Sequence, residues 1–177
     1  DLDYYHGKLI SKCSLFTNEM VGLAKASAVF HGAEHTIPDL LRYFQGIRSE
    51  DAFRRMCVLD AIILNPDRHY GNFGVLFDTT TMEILRMAPV FDNNKSLLPE
   101  LDNDQLATPG WYIARCRPRI GRDFIITARG LLTEEIRADL ERLRDFTFRQ
   151  HPKIQAEQVR LDALSAIVRE RIRQILT

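Results

Sequence analysis

The stretch LNPDRHYGNFGVLF, residues 64–77, decides how the chain is read. It gathers Asp67, Arg68, His69 and Asn72 within six residues, with Gly71 and Gly74 beside them. An apolar helical pattern precedes it. Phe53, Met56, Cys57, Leu59 and Ile63 recur at helical spacing, Ser49 is the expected N-cap, and Glu50 and Asp51 follow where acidic groups favour the helix dipole. Asn65-Pro66 ends the pattern, because the residue before a proline avoids helical angles. After the stretch, FGVLFD reads as a strand, TTT as a turn and MEILRMAPVFD as a returning strand, which predicts a hairpin over residues 73–91. Polar groups on a loop held between rigid elements are more often functional than polar groups elsewhere.

The residue types suggest a chemistry. Asp67 is a carboxylate on a constrained loop, two residues from the imidazole of His69. Asn72 offers a carbonyl oxygen as a hard ligand. Asp92 closes the predicted hairpin, which folds it back toward Asn72. One carboxylate to receive a proton, and an Asn with a second carboxylate to hold Mg²⁺, are the parts phosphoryl transfer needs. Mg²⁺ prefers oxygen ligands and keeps several waters, so one Asn and one Asp suffice beside phosphate oxygens. Asp67 could instead simply cap a turn after Pro66, and Gly71 and Gly74 could simply relieve a tight turn.

DRHYGN resembles the D-x-H-x-x-N loop shared by HipA-like Ser/Thr kinases and, more distantly, by phosphatidylinositol kinases. APVFDNNKSL, residues 88–97, resembles the metal-binding segment that follows the hairpin in the HipA-like family. The resemblance covers residues 50–98 and is looser over GKLISKCSLFT. It implies a protein-kinase-like C-terminal lobe in which a catalytic loop is followed by a β-hairpin. Asp67 matches the catalytic Asp, and His69 the motif His, which shapes the loop or meets the phosphates. Asn72 and Asp92 match the residues that hold Mg²⁺ and, through it, ATP. Asp60 matches a frequent acidic position that would brace the loop. Asn93 and Asn94 stand where the family often has Gly or another small residue; Asn tolerates left-handed backbone angles. Lys95 reads either as a phosphate contact or as a solvated charge.

A kinase also needs an N-terminal lobe with a phosphate-covering loop and a lysine for the α- and β-phosphates. The stretch KLISKCSLF, residues 8–16, alternates as a strand and resembles the hinge between kinase lobes. Lys8 is too close to it to be the phosphate lysine. The expected organisation is therefore a hinge-like strand over 1–17, at the end of a missing N-lobe, and a kinase-like C-lobe over 18–177. The first residue is Asp1 rather than Met, as expected of a fragment. Such a lobe alone would transfer phosphate slowly or not at all.

The remainder reads as mostly helical α+β, without Rossmann-like alternation. Thr36 is the expected cap of a short helix through Phe44. Residues 99–131 are rich in Pro, Gly and Asp and look irregular. Thr133 caps a helix with the apolar face Ile136, Leu140 and Leu143. A last helix over 156–176 carries Leu161, Leu164, Val168, Ile172 and Ile175. Trp111 and Tyr112 are expected to pack against the body of the lobe.

The 177 residues suit one domain or one large lobe, with 45% apolar and 27% charged residues and a formal net charge of zero. Nothing in that balance steers the chain toward nucleic acid or a membrane, and no apolar run is long enough to span a bilayer. Arg115, Arg117, Arg119 and Arg122 cluster in sequence and read first as a solvated face. Cys13, Cys57 and Cys116 form no CxxC pair, which suggests neither a zinc site nor a disulfide framework and fits a reducing cytoplasm. His31 and His35 bracket Gly-Ala-Glu without suitable metal partners and read as a surface loop.

The leading expectation is an ATP- and Mg²⁺-dependent kinase acting on a Ser or Thr hydroxyl of a protein. Membership of a HipA-like group also implies a toxin-like role with a neutralising partner protein. A pseudokinase or partner-binding module is the first alternative. A metal-dependent hydrolase using Asp67, His69 and Asp92 is the second, although no further His or Glu cluster completes a hydrolytic site.

Overall fold

The computed structural model describes residues 1–30 and 35–177. His31 lies outside the described residues, so the expected surface loop there has no structural account. Helices and two small antiparallel sheets make up the fold. The first sheet is a local hairpin of β1 (Leu2–Tyr5) and β2 (Lys8–Ser11), with Leu2 opposite Ser11 and Tyr5 opposite Lys8. His6 and Gly7 join them with φ of 47° and 74°, the left-handed pair that a two-residue hairpin turn requires. The strand expected over 8–16 therefore stops at Ser11. Reciprocal bonds between Asp1 and Lys12 extend the pairing by one step, and the next residues find no strand partner among the described residues.

The second sheet has the order β3 (Val21–Lys25), β4 (Gly74–Asp78), β5 (Ile84–Met87). Its central strand buries Val75 and Leu76. The Asp78 carboxylate accepts from the amides of Thr80 and Thr81 and fixes the TTT turn. The returning strand is shorter than expected and ends at Met87. Strand β3 was not legible in VGLAK, five residues with no alternation of polar and apolar character. Its fit depends on glycine. A Cβ on Gly74 would lie 2.2 Å from the Ala24 carbonyl oxygen, a backbone atom that cannot swing aside. Gly74→Ala is expected to destabilise the fold by about 1–3 kcal/mol through this overpacking. Urea unfolding with a lower midpoint and an unchanged slope would show it.

After α1 (Ala26–Val29), helix α2 (Ile37–Gly46) begins as predicted. Thr36 and Asp39 exchange the two bonds of a capping box, with Pro38 in the first turn. Helix α3 (Glu50–Ile63) is the central element. Ser49 precedes it but does not cap it with its side chain. Its Oγ donates to the Ile47 carbonyl at 3.2 Å and accepts from the buried Met87 amide at 3.0 Å, tying the start of α3 to β5. The helix ends at Leu64, fully buried with φ 52° and ψ 50°, whose amide bonds back to the Asp60 carbonyl. The left-handed residue thus lies one position before Asn65, and it turns the chain sharply into the polar loop.

Helix α3 separates two cores. One of its faces packs Phe53, Met56 and Cys57 against α2 and the sheet through Leu40, Phe44, Phe73 and Val75. The other packs Val58, Ala61 and Ile62 against the C-terminal helices. Residues 99–131, expected to be irregular, contain α4 (Asn103–Ala107), α5 (Gly110–Arg115) and α6 (Phe124–Gly130). These helices are too short to show a period, but Asp102 and Asp123 cap two of them, and Leu106, Phe124 and Ala128 are buried. Thr133 caps α7 (Glu134–Arg142) as expected; Ile136 and Leu140 are buried, whereas Leu143 lies at the C-cap and is exposed. Helix α8 (Gln158–Leu176) buries Val168, Ile172 and Ile175. Its buried Arg171 donates to the Ala61 carbonyl at 2.9 Å, locking α8 to α3. Trp111 is 60% exposed rather than packed inward, and the Arg115 guanidinium lies 4.3 Å over its ring. No helix among the described residues is long and apolar enough to cross a membrane.

Candidate active site

The site is organised by a buried charge. Arg68 is 2% exposed, the largest of the fully buried side chains, and Asp60 is 5% exposed. The guanidinium grips the Asp60 carboxylate with two bonds, Nε to Oδ2 and Nη2 to Oδ1, both 2.9 Å. Its other donors reach outward. Nη1 donates to the Asn72 carbonyl at 2.6 Å and to the Phe91 carbonyl at 2.5 Å, and Nη2 donates to Asn93 Oδ1 at 2.5 Å. All five N–H donors of the side chain are therefore used, which is what a guanidinium needs to tolerate burial. Asn65, also buried, donates from Nδ2 to Asp60 Oδ1 at 2.9 Å. Burial pushes the Asp60 carboxyl above its ordinary value, and the Arg68 and Asn65 bonds pull against that rise.

This one side chain joins two segments far apart in sequence. Asn72 sits at the end of the polar loop and Phe91 in the segment after β5, yet their carbonyls accept from the same nitrogen atom. Asp92 is held from both flanks, by the Phe91 carbonyl on one side and the Asn93 side chain on the other. Asp92 adopts φ 56° and is exposed. The left-handed position anticipated at Asn93 or Asn94 is therefore occupied by Asp92, a residue whose short polar side chain tolerates it.

The loop closes on itself around Asp67. Asn65 Oδ1 accepts from the Asp67 amide at 3.1 Å. The Asp67 carbonyl accepts from the His69 amide at 2.8 Å and from Asn72 Nδ2 at 2.9 Å. These backbone ties leave the Asp67 carboxylate half-exposed, with Arg119 Nε at 3.9 Å from Oδ1. Because Asn72, itself buried, uses its Nδ2 on the Asp67 carbonyl, its Oδ1 is left without that partner and accepts no hydrogen bond among the described residues. His69 Nδ1 accepts from the Gly71 amide at 2.9 Å, which fixes the tautomer with the proton on Nε2. A Cβ on Gly71 would fall 2.8 Å from the His69 ring, so the glycine makes room for the imidazole. Lys95 is paired with Glu100 at 2.9 Å.

The residue types fit a hard cation presented by a phosphate: Asn72 Oδ1 accepts no hydrogen bond among the described residues, and Asp92 is exposed on a segment whose backbone is tethered to the same arginine as the Asn72 carbonyl. Among the described residues no three His, Cys, Asp or Glu side chains gather as a self-sufficient metal site. His35, half-buried, donates its amide to the Tyr70 hydroxyl at 3.3 Å, and its ring lies tilted against Phe30 with centroids 5.0 Å apart. Sequence reasoning anticipated a bracing role for Asp60 but missed Arg68. Only the aspartate carried a signal, as a lone carboxylate on an otherwise apolar helical face; the arginine sits in the polar loop between half-exposed Asp67 and exposed His69, and nothing local marks it as buried.

No family model matches the chain, and no curated protein sequence does. Among solved structures, the crystal structure of a Helicobacter pylori proinflammatory kinase, CtkA, is similar in fold. The superposition has a TM-score of 0.64 and covers 99% of this chain and 76% of that one, at 17% sequence identity. The chain thus has a kinase-like fold.

Proposed function

We propose that this chain is the C-terminal lobe of a HipA-like kinase that transfers the γ-phosphate of ATP to a Ser or Thr hydroxyl of a protein. One observation supports this reading above the others. A single buried guanidinium holds Asn72 and the two neighbours of Asp92, uniting the loop and the post-hairpin segment where the proposed metal ligands lie. The kinase-like fold of the whole chain is consistent with it.

In this reading Asp67 orients the acceptor hydroxyl and takes its proton as the oxygen attacks the γ-phosphorus and the bond to the ADP oxygen breaks. Asn72 Oδ1 and the Asp92 carboxylate would hold Mg²⁺, which would offset charge on the phosphates. His69 keeps the loop in shape through Nδ1 and leaves Nε2–H free to meet a phosphate oxygen. The stretch 1–17 serves as the link to an N-terminal lobe, which supplies the phosphate-covering loop and its lysine. A cytoplasmic location and a neutralising partner protein belong to the same proposal.

The test separates the metal ligands from the base. Asn72→Ala and Asp92→Ala, each in the complete two-lobed protein, are expected to raise the Mg²⁺ concentration for half-maximal transfer by about tenfold or more. Transfer measured across a Mg²⁺ titration gives the shift. A rate insensitive to Asp92 would remove it from the metal assignment and favour a partner-binding role for the fold.

A further inference from the structure

Asp67 shares its surroundings with a second loop, between α5 and α6. Burial alternates along residues 116–120: Cys116 and Pro118 are half-buried, Ile120 is buried, and Arg117 and Arg119 are exposed. Alternation of this kind puts the two arginines on one face of an extended segment. The inner residues rest on the support of the polar loop. Pro118 and Ile120 line a small cavity with Asp60, Asn65 and Arg68, and Cys116 Sγ donates to the Leu64 carbonyl at 3.7 Å. The outer face therefore opens beside the loop, which is why Arg119 reaches Asp67 at 3.9 Å. Arg122 follows at once, exposed, after the turn at Gly121 with φ 80°.

The charge on this face is not neutralised. Among the described residues, Asp67 is the only carboxylate within ion-pair distance of Arg117, Arg119 or Arg122. Elsewhere on the surface Arg42, Arg55, Arg142, Arg144 and Arg173 have acidic partners, whereas Arg115, Arg129 and Arg137 stand singly without one among the described residues, so what marks this face is three such cations in one short segment beside Asp67. A solvated arginine face has no need of anchorage against the buried ion pair, yet this segment is packed onto it. The guanidinium fork matches carboxylates in two-pronged pairs.

We infer that Arg117, Arg119 and Arg122 form an acceptor-side lip that selects protein segments bearing Asp or Glu beside the phosphorylated Ser or Thr. This rests on the kinase reading of Asp67. It names the substrate class that the reading leaves open. The arginines supply the attraction, and Asp67 keeps the hydroxyl next to them.

Two peptides with the same Ser or Thr acceptor, one flanked by Asp and Glu and one by Asn and Gly, test it in the complete protein. The acidic peptide is expected to have a kcat/KM about tenfold higher, and the preference shrinks when ionic strength is raised to about 0.5 M. In the Arg117→Ala/Arg119→Ala/Arg122→Ala variant the acidic-to-neutral ratio falls toward one. All three side chains are exposed, so the variant is expected to fold, which thermal melting checks. Fluorescence anisotropy of the labelled acidic peptide without nucleotide reads the lip independently of catalysis. Binding that is lost in the variant, with no transfer by the wild type, would sink the kinase reading and keep the arginine face. Equal kcat/KM and equal binding for the two peptides would overturn the lip while leaving the kinase reading intact. A variant effect seen only as a higher KM for ATP with both peptides would also overturn it, assigning the arginines to nucleotide phosphate.

Discussion

Under the proposed function, Asp67→Ala in the complete two-lobed protein is expected to lower phosphoryl transfer by about 10²–10⁴-fold, the range a positioned proton acceptor contributes. The fold should be unaffected. Asp67 is held through its backbone: its amide bonds to Asn65 Oδ1, and its carbonyl accepts from His69 and Asn72. Among the described residues Arg119, largely in solvent, is the one cation within ion-pair distance of its carboxylate, at 3.9 Å, and exposed Lys95 acts on it from further away, so removing it breaks no buried pair. Rate measurements at saturating Mg²⁺ and ATP, alongside a thermal melt, check both halves. A variant with an unchanged melt and unchanged transfer would show that Asp67 only shapes a turn.

Arg68→Met produces the opposite pattern, a large loss of stability. The methionine fills much of the arginine's volume but leaves the buried Asp60 carboxylate without its partner and leaves the Asn72 and Phe91 carbonyls unpaired. Breaking a buried ion pair from one side costs about 3–5 kcal/mol. In a domain of this size that corresponds to a fall in melting temperature of about 10 °C. Adding Asp60→Leu removes the orphaned charge and should recover part of the stability, since apolar replacements of a buried pair are often close to neutral. Activity should not recover with it, because Asn72 and the flanks of Asp92 remain untethered. Recovery of both together would mean that Arg68 stabilises the core without positioning the site.

The contrast between these two residues shows what the sequence could carry. Asp67, His69 and Asn72 stood out because polar groups in a short loop between apolar patterns have few structural uses, and Asp92 because it follows the hairpin that the same pattern predicts. The capping residues Thr36 and Thr133 were legible for a similar local reason: a side-chain oxygen bonds to an amide three residues on, and the spacing is written in the chain. Arg68 was not legible, since its five acceptors come from positions 60, 72, 91 and 93, and nothing local announces that convergence. Strand β3 was hidden likewise: VGLAK becomes a strand because β4 lies beside it and because Gly22 and Gly74 let the strands and the Phe77 ring approach. Ser49 misled in the reverse direction. Its sequence context is that of an N-cap, but a buried Met87 amide competes for the same oxygen and wins. The short helices of residues 99–131 are set by single caps and single buried side chains, too little signal for a periodic reading.

The metal assignment is the claim on which the rest of the functional account depends. Mn²⁺ can replace Mg²⁺ as a paramagnetic probe, and the amide resonances of the complete protein report where it lodges with ATP. The account predicts selective broadening of the amides around Asp67, Asn72 and Asp92, lost in the Asn72→Ala/Asp92→Ala variant. Broadening that spares this loop, or that is spread over acidic helix surfaces such as Glu134 and Glu135, would contradict it.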